Sequence, residues 1–200
     1  MKAAKMLLTK LLILINMKPN FRAVGIDDGS FMKGRDKNCM IAGVLIRADS
    51  LVESVSIRPI EVDGLDSTET IIEIVNGDFK RNASIIMAYG VTFGGFNVAD
   101  LFRIFNATGI PVISITRKRP DLEAIADAIE KTQDNWRQKI DVMQRYSPEE
   151  LYLPNRSVLF INRAGTEQRS AMVYIKKLTR TGNIPEPLRL ANMIAKSIKK

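Results

Sequence analysis

Three stretches in the first third of the chain have the apolar pattern of β-strands. Phe21 to Asp28 is a short apolar run that ends in two acids and is followed by turn residues. Met40 to Arg47 is rich in branched apolar side chains, and Val52 to Val62 alternates apolar and polar positions. The links between these stretches are too short for a parallel crossover, which needs about a dozen residues or more. The pattern therefore predicts an antiparallel three-stranded meander.

After the meander, the period of the apolar positions changes from that of strands to that of helices. Ser67 is placed to cap a helix that Gly77 ends. Ser84 to Tyr89 is a continuous apolar run, typical of a strand buried on both faces. The remaining predicted elements are a helix over Asn97 to Gly109, a strand over Pro111 to Thr116, a long helix over Asp121 to Gln144, a strand around Val158 to Ile161, and helices over Gln168 to Arg180 and Pro187 to Ile198.

The order of these elements predicts the fold class. An antiparallel three-strand meander followed by alternating helices and parallel strands indicates an α/β protein with a mixed sheet, in the order of RNase H-like proteins. We expect residues 17–200 to form one such domain and residues 1–16 to be an N-terminal extension. Lys10 interrupts the apolar run of the extension, and no small-residue cleavage site follows it. We therefore predict neither a membrane span nor a signal peptide there.

The composition restricts the available chemistry. The chain contains no histidine and one cysteine, Cys39. Ser-His-Asp and Cys-His nucleophile pairs and a tetrahedral zinc site are therefore excluded, and any reaction must use carboxylates, amines or hydroxyls. A lone cysteine cannot form an intrachain disulfide, so we expect a cytoplasmic protein. The net charge of +8 suits a polyanionic partner such as nucleic acid, although many proteins are this basic for solubility alone.

Acidic residues end the first strand and precede the first helix. In the predicted sheet the first and fourth strands are neighbours, so Asp27 and Asp28 can approach acids near the start of the helix. The candidates there are Asp63, Asp66 and Glu69. Carboxylates are the ligands that hold Mg²⁺ or Mn²⁺ for phosphodiester cleavage. The same residue types are common in turns and at helix starts, and both interpretations remain open at this stage.

The carboxyl end of the fourth strand carries Tyr89, where a nuclease would need an acid. This side chain could fill the space of a missing ligand, stack on a base, or simply pack at the strand end. The glycine-rich loop Gly90 to Asn97 follows, at the edge where α/β sheets tend to bind ligands, but it matches no phosphate-binding motif. Arg117 to Arg119 follow the next strand at the same edge, where they could contact phosphates.

Several motifs, taken together and in order, resemble the endonuclease dU family. They are GIDDGSF, VDGLDSTE, GVTFGGFNVADL, TGIPVISITRKRPDLE and IPEPLRLANMIA. The family is archaeal and related to endonuclease V, whose relatives nick nucleic acid beside deaminated bases with a carboxylate-bound divalent metal. The resemblance implies that Asp27 is the first-strand aspartate, that Asp28 is the family's second acid, and that Glu69 is the glutamate at the head of the first helix.

Two positions depart from the family pattern. Tyr89 stands where the family usually has an aspartate before glycine, and Asn192 stands where a histidine or aspartate is usual. Both positions bind metal in the relatives of endonuclease V. A tyrosine phenol is neutral near pH 7 and an asparagine amide brings no charge, so the site loses anionic ligands. The departures predict weakened or absent cleavage.

The sequence leaves three hypotheses. The first is a metal-dependent endonuclease acting on DNA or RNA with a deaminated base, impaired by Tyr89 and Asn192. Its expected catalytic residues are Asp27, Asp28 and Glu69; the same three and Asp66 are the expected ligands of Mg²⁺ or Mn²⁺; and the expected nucleic-acid contacts are Thr92, Phe93, Gly94, Gly95, Asn97, Arg117, Lys118 and Arg119. The second is a non-cleaving nucleic-acid-binding protein on the same fold, and the third is a small-ligand or protein-interaction module. No membrane partner is expected, and the sequence is compatible with a homo-oligomer.

Overall fold

Residues 20–153 and 156–198 are described in a computed structural model of the chain, so the N-terminal extension predicted over residues 1–16 lies outside the described residues. The strands, in chain order, are β1 Arg22–Asp28, β2 Asn38–Arg47, β3 Val52–Glu61, β4 Ile85–Tyr89, β5 Thr92–Phe93, β6 Asn97–Val98, β7 Val112–Thr116, β8 Glu149–Tyr152 and β9 Val158–Ala164. The helices are α1 Ser67–Glu73, which continues as a π-helical turn over Ile74–Asp78, then α2 Leu101–Thr108, α3 Leu122–Thr132, α4 Trp136–Met143, α5 Gln168–Leu178 and α6 Glu186–Ser197.

Seven of the strands form one mixed sheet in the order β3-β2-β1-β4-β7-β9-β8, and β5 and β6 form a separate hairpin. The first three strands are the predicted antiparallel meander, and β4 pairs in parallel with both β1 and β7. The RNase H-like fold class is thus confirmed. The sequence pattern did not predict β8, and the expectation that the later strands are all parallel is wrong for β9, which runs antiparallel to β7 and β8.

Helices cover both faces of the sheet because side chains alternate between the faces along each strand. On one face, Ala23 of β1 belongs to a core cluster that includes Leu188 and Ala191 of α6. On the other face, Val24 of β1 belongs to a cluster that includes Ile71 of α1. Successive residues at the end of β1 are therefore directed toward different layers of the protein.

Two glycines allow α6 to lie directly against β1. A Cβ atom at Gly25 would be 2.1 Å from the carbonyl oxygen of Pro187, and one at Gly29 would be 2.5 Å from the carbonyl oxygen of Ala195. No side chain fits at either distance, so both positions require glycine. The two contacts lie on either side of Asp27 and Asp28, and they fix the height of α6 above the end of β1.

Three details of the predicted helices are wrong. The long helix over Asp121 to Gln144 is two helices, because Gln133 is extended (φ −123°, ψ 126°) and its side-chain oxygen accepts a hydrogen bond from Lys139. The helix predicted from Asn97 begins only after Asp100, whose carboxylate caps it. Asp66, and not Ser67, is the N-cap residue of α1. In the part of the chain described here, no helix has the length and apolar character needed to cross a membrane.

Candidate active site

A cavity of about 270 Å³ opens at the end of β1, between the sheet and α6. Its polar lining residues are Asp27, Tyr89, Arg117, Arg189, Asn192 and Lys196. Asp27 is only 3% exposed, whereas Arg117 and Lys196 are exposed. Tyr89 is half-buried and follows Ala88, which pairs with Ile26 across the parallel β1–β4 contact. The cavity therefore combines a buried carboxylate with positively charged side chains that reach solvent.

Two hydrogen bonds hold the carboxylate of Asp27. The amide nitrogen of Asn192 donates to Oδ2 over 3.0 Å, and the backbone N–H of Asp28 donates to Oδ1 over 2.9 Å. Burial raises the pKa of Asp27, and the neighbouring Asp28 raises it further, while the two hydrogen bonds act in the opposite direction. Asn192 is thus brought to Asp27, as the resemblance implied, but it acts there as a hydrogen-bond donor.

The glycine-rich loop holds the carboxylate of Asp28. The backbone N–H of Gly94 donates to Oδ2 over 2.7 Å. Gly94 has φ +49°, and a Cβ there would be 2.8 Å from the sulfur of Cys39, so the loop needs glycine to reach Asp28. Burial raises the pKa of Asp28, and the ammonium of Lys196 acts to lower it. Gly94, which the sequence predicted as a nucleic-acid contact, thus lies directly beside the acid.

Two of the predicted nucleic-acid contacts in the loop, Phe93 and Asn97, are wrong because both side chains are buried. Phe93 is fully buried in the core. Asn97 is also fully buried, where its Oδ1 accepts from the N–H of Ser67 and its Nδ2 donates to the carbonyl of Glu61 and to Asp66. Asp66 further accepts from the N–H of Glu61. Asn97 and Asp66 therefore join the start of α1 to the β5–β6 hairpin.

The other predicted acid, Glu69, lies away from the cavity. It is exposed on α1 and forms an ion pair with Arg103 over 2.7 Å. Among the residues described by the structure, no three acidic or cysteine side chains lie close enough together to share a metal ion. The structure brings Asp27 and Asp28 together, with Asn192 beside them, and it does not bring Glu69 or Asp66 to them.

The predicted basic residues lie at the same sheet edge as the cavity. Arg117 lines it, and Lys118 and Arg119 are exposed beside it. Arg119 is paired with Glu150 over 2.7 Å, and its guanidinium lies 5.3 Å from the ring centre of Phe160. Of the remaining loop residues, Thr92 pairs with Val98 in the hairpin, and Gly95 packs beside Asp63.

Sequence reasoning missed two cationic residues of the cavity. Arg189 and Lys196 both lie on α6, together with Asn192. The three positions are spaced i, i+3 and i+7, which places them on one face of a helix. This spacing is visible in the sequence. With Asn192 as the reference position, it identifies Arg189 and Lys196 as residues on the same helix face.

The side chains around Asp27 are of types that hold a single divalent cation in proteins. Mg²⁺ is commonly held by one or two carboxylates, with water and substrate phosphates completing the octahedron. Asp27 and the neighbouring Asp28 would supply the carboxylates, and the amide of Asn192, whose nitrogen contacts Asp27, would supply its oxygen. A second cation would need further anionic ligands, and Tyr89 and Asn192 supply none.

Comparisons with known proteins agree with this architecture. The family model of endonuclease dU matches residues 19–199. A UPF0215 protein of Thermococcus gammatolerans is 39% identical over 186 residues, which cover 91% of this chain and 94% of the relative. A UPF0215 protein of Methanothermobacter thermautotrophicus is 36% identical over 183 residues, 91% of this chain and 89% of the relative.

Solved structures show the same fold. A protein of unknown function from Archaeoglobus fulgidus superimposes with a TM-score of 0.77 at 30% identity, covering 88% of this chain and 96% of that one. Endonuclease V of Ciona intestinalis, in complex with a DNA that contains inosine, superimposes with a TM-score of 0.60 at 11% identity, covering 88% and 85%. At that identity the second likeness concerns the fold alone. The match of the family model across nearly the whole chain, with the archaeal relatives, establishes that the protein belongs to the endonuclease dU family.

Proposed function

We propose that the protein binds nucleic acid at the Asp27 cavity and that its metal-dependent endonuclease activity is impaired. The observation that carries the proposal is the pairing of a buried carboxylate, Asp27, with the exposed cations Arg117 and Lys196 around one cavity. Cations at these positions neutralise the phosphates of a bound strand. The buried carboxylate between them is compatible with a nearby phosphate only when a metal cation or a proton offsets its negative charge. Family membership and the fold shared with a DNA-bound endonuclease V support nucleic acid as the polyanion.

Three side chains would hold a single Mg²⁺ or Mn²⁺: Asp27, Asp28 and the amide of Asn192. When bound, the cation would neutralise charge on the phosphate and activate water for its hydrolysis. The residues of the chain position the strand: Arg117 and Lys196 bind phosphates on either side of the acids, and Asn192 holds the carboxylate of Asp27 in place. The substrate class we propose is a strand with a deaminated base.

Impairment follows from the charges around the acids. Tyr89 and Asn192 provide neutral groups where two anionic ligands would hold the cation more tightly. Lys196 adds a positive charge near Asp28, which repels a divalent cation. Glu69 cannot replace the missing charge because it is paired with Arg103 outside the cavity.

Binding is tested by fluorescence anisotropy with DNA and RNA strands that contain uracil or hypoxanthine, over a range of salt concentrations. The double variant Arg117→Ala/Lys196→Ala should bind more weakly and lower the salt slope by about 1 to 2, since each phosphate contact contributes about 0.7 to 0.9. The double variant Lys131→Ala/Arg137→Ala, which removes two exposed charges on α3 and α4, is the matched control and should leave both quantities unchanged. Equal effects of the two changes would contradict a localised binding site.

Cleavage is tested separately with the same strands and Mn²⁺. The double variant Tyr89→Asp/Asn192→Asp should bind Mn²⁺ more tightly in calorimetry and cut faster than the unmodified protein, and adding Asp27→Asn should abolish both gains. Slow cutting by the unmodified protein that is lost in Asp27→Asn identifies an impaired endonuclease. Binding without any cutting identifies the second candidate, a non-cleaving nucleic-acid-binding protein. If the two introduced aspartates do not accelerate cutting, the proposal that the endonuclease activity is impaired by Tyr89 and Asn192 is wrong.

A further inference from the structure

A second cavity, of about 190 Å³, lies between the start of α2, the segment after α4 and strands β8 and β9. We call it the Asn162 pocket, and its lining residues include Phe102, Arg145, Tyr146, Ser147, Asn162 and Arg163. Its volume corresponds to roughly six water molecules at about 30 Å³ each. The pocket is therefore larger than the space needed for one structural water.

Asn162 lines this pocket, and its side chain carries a buried polar atom without a partner among the described residues. The side chain is 9% exposed, and its Oδ1 is buried without a hydrogen-bond partner among the described residues. Its Nδ2 donates to Ser114 Oγ over 3.1 Å, which fixes the side chain from the other end. A buried acceptor without a donor is unfavourable, so a ligand that supplies a donor gains affinity when the Asn162 side chain turns toward it. If the amide is rotated by 180°, the pocket instead offers a donor for a ligand acceptor.

The walls of the pocket are planar groups. The rings of Phe102 and Tyr146 are stacked, with centroids 6.3 Å apart and an interplanar angle of 13°. The guanidinium of Arg145 lies 5.7 Å from the ring centre of Phe102 and is held there by an ion pair with Asp100. Arg163 is likewise fixed by Glu149. Rings, planar guanidinium groups and one amide are the set of contacts that proteins use to bind an unstacked nucleobase.

Two adjoining grooves lead from the Asp27 cavity toward the Asn162 pocket. Tyr89 and Arg117 line both the Asp27 cavity and a groove formed with residues 116–120. Arg119 and Pro120 also line the next part of that groove, which extends to Pro148. Pro148 lies in sequence between Ser147 and Glu149, which line the Asn162 pocket. The exposed side chains of Arg117, Lys118 and Arg119 follow this groove.

We propose that the Asn162 pocket holds an unpaired nucleobase of the strand whose phosphates cross the Asp27 cavity. This inference rests on the proposed function and adds a second contact to it, at the far end of a groove whose first part is basic and whose second part is lined by Arg119, Asp121 and Glu123. Because a base inserted in the pocket cannot pair, single strands bind more tightly than duplexes. The added contact also makes affinity depend on strand length, since only a strand that spans the groove reaches both sites.

The test is an anisotropy series with labelled single strands of about 4 to 16 nucleotides, the range of site sizes in single-strand-binding folds. Asn162→Leu removes the amide, and Ser147→Trp fills the pocket from an exposed position without altering the core. Both should weaken binding of the longest strands about tenfold and leave the shortest strands unchanged, whereas Arg117→Ala weakens binding at every length. In a long strand, an abasic site at one position should lower affinity for the unmodified protein and not for Ser147→Trp.

The outcomes separate this inference from the proposed function. If salt-sensitive, Arg117-dependent binding is retained but both pocket variants match the unmodified protein at all lengths, the Asn162 pocket holds only water and the inference is wrong. If no strand binds at any length, the proposed function fails as well. Should Asn162→Leu fold poorly, Ser147→Trp and the abasic series still decide the question.

Discussion

Replacing Asn97 with alanine tests whether the glycine-rich loop is a ligand surface or a structural connection. The side chain is fully buried and makes three hydrogen bonds, to the N–H of Ser67, the carbonyl of Glu61 and the carboxylate of Asp66. After the substitution, Glu61 keeps a bond from Gly64, and Asp66 keeps its bond from the Glu61 N–H. The N–H of Ser67, at the first turn of α1, is left without its acceptor.

The magnitude follows from these partners. Three hydrogen bonds at about 1 kcal/mol each, one of them to a charged group, give a loss of about 3 kcal/mol in the free energy of unfolding. For a chain of this size, each kcal/mol corresponds to about 2 to 4 °C in Tm, so Asn97→Ala should melt about 6 to 12 °C lower. Nucleic-acid affinity, measured well below the melting transition, should be unchanged because the side chain has no access to solvent.

The isosteric substitution Asn97→Asp makes the test sharper. It places a second carboxylate where the Asn97 amide nitrogen now lies 2.6 Å from Asp66. In the folded variant a proton shared by the two carboxyl groups is favourable, so the pKa of one of them is raised above its value in the unfolded chain. Stability of this variant relative to the unmodified protein should therefore improve as pH falls through that pKa and decline as pH rises. Thermal melts at several pH values measure this. A Tm loss below about 2 °C in Asn97→Ala would refute the reasoning.

Three further predictions concern the packing around the site. Gly25→Ala should lower the free energy of unfolding, measured by guanidinium denaturation, by about 3 kcal/mol and should weaken Mn²⁺ binding. The reason is that the new Cβ would lie 2.1 Å from the carbonyl oxygen of Pro187 in α6. Gly77→Ala should have neither effect, because a Cβ there meets no packed neighbour within 4 Å. Burial lowers the pKa of Lys139, so the unmodified protein should gain stability relative to Lys139→Met as pH rises toward about 10.4; a flat difference between pH 8 and 10 in urea melts would contradict this. Glu69→Gln should change stability by less than about 1 kcal/mol and leave Mn²⁺ affinity in calorimetry unchanged; a loss of Mn²⁺ binding would return Glu69 to the site.

The position of the candidate site in the fold could be predicted because it depends on local sequence pattern. The apolar run that ends in Asp27 and Asp28 indicates the end of a strand. The short links before and after β2 indicate that the first three strands pair as an antiparallel meander. The parallel pairing of β1 with β4, which places Tyr89 beside Asp27, follows from the order of elements. These steps require no knowledge of distances.

The roles of individual side chains were less predictable because they depend on the exact beginning of an element. Asn97 was assigned to a ligand loop, but the two-residue strand β6 turns it into the core. The apolar period of α1 directs its neighbours inward and leaves Glu69 in solvent. Asn162 had no signal in the sequence, because its contact with Ser114 arises from the antiparallel register of β7 and β9. A pattern of parallel strands would have predicted a different partner.

The packing of α6 explains why the backbone of the candidate site does not depend on the side chains that occupy it. Gly25 and Gly29 fix the helix backbone on β1, so whatever residue occupies position 192 reaches the carboxylate of Asp27. An aspartate there would have contributed a ligand charge, and asparagine contributes a hydrogen bond to the same atom without altering the backbone. The position of Tyr89 is likewise set by β4 and not by the tyrosine itself. Because the backbone positions do not depend on these two side chains, restoring both acids should recover cation binding without a change in fold, and Gly25→Ala should prevent that recovery even when both acids are present.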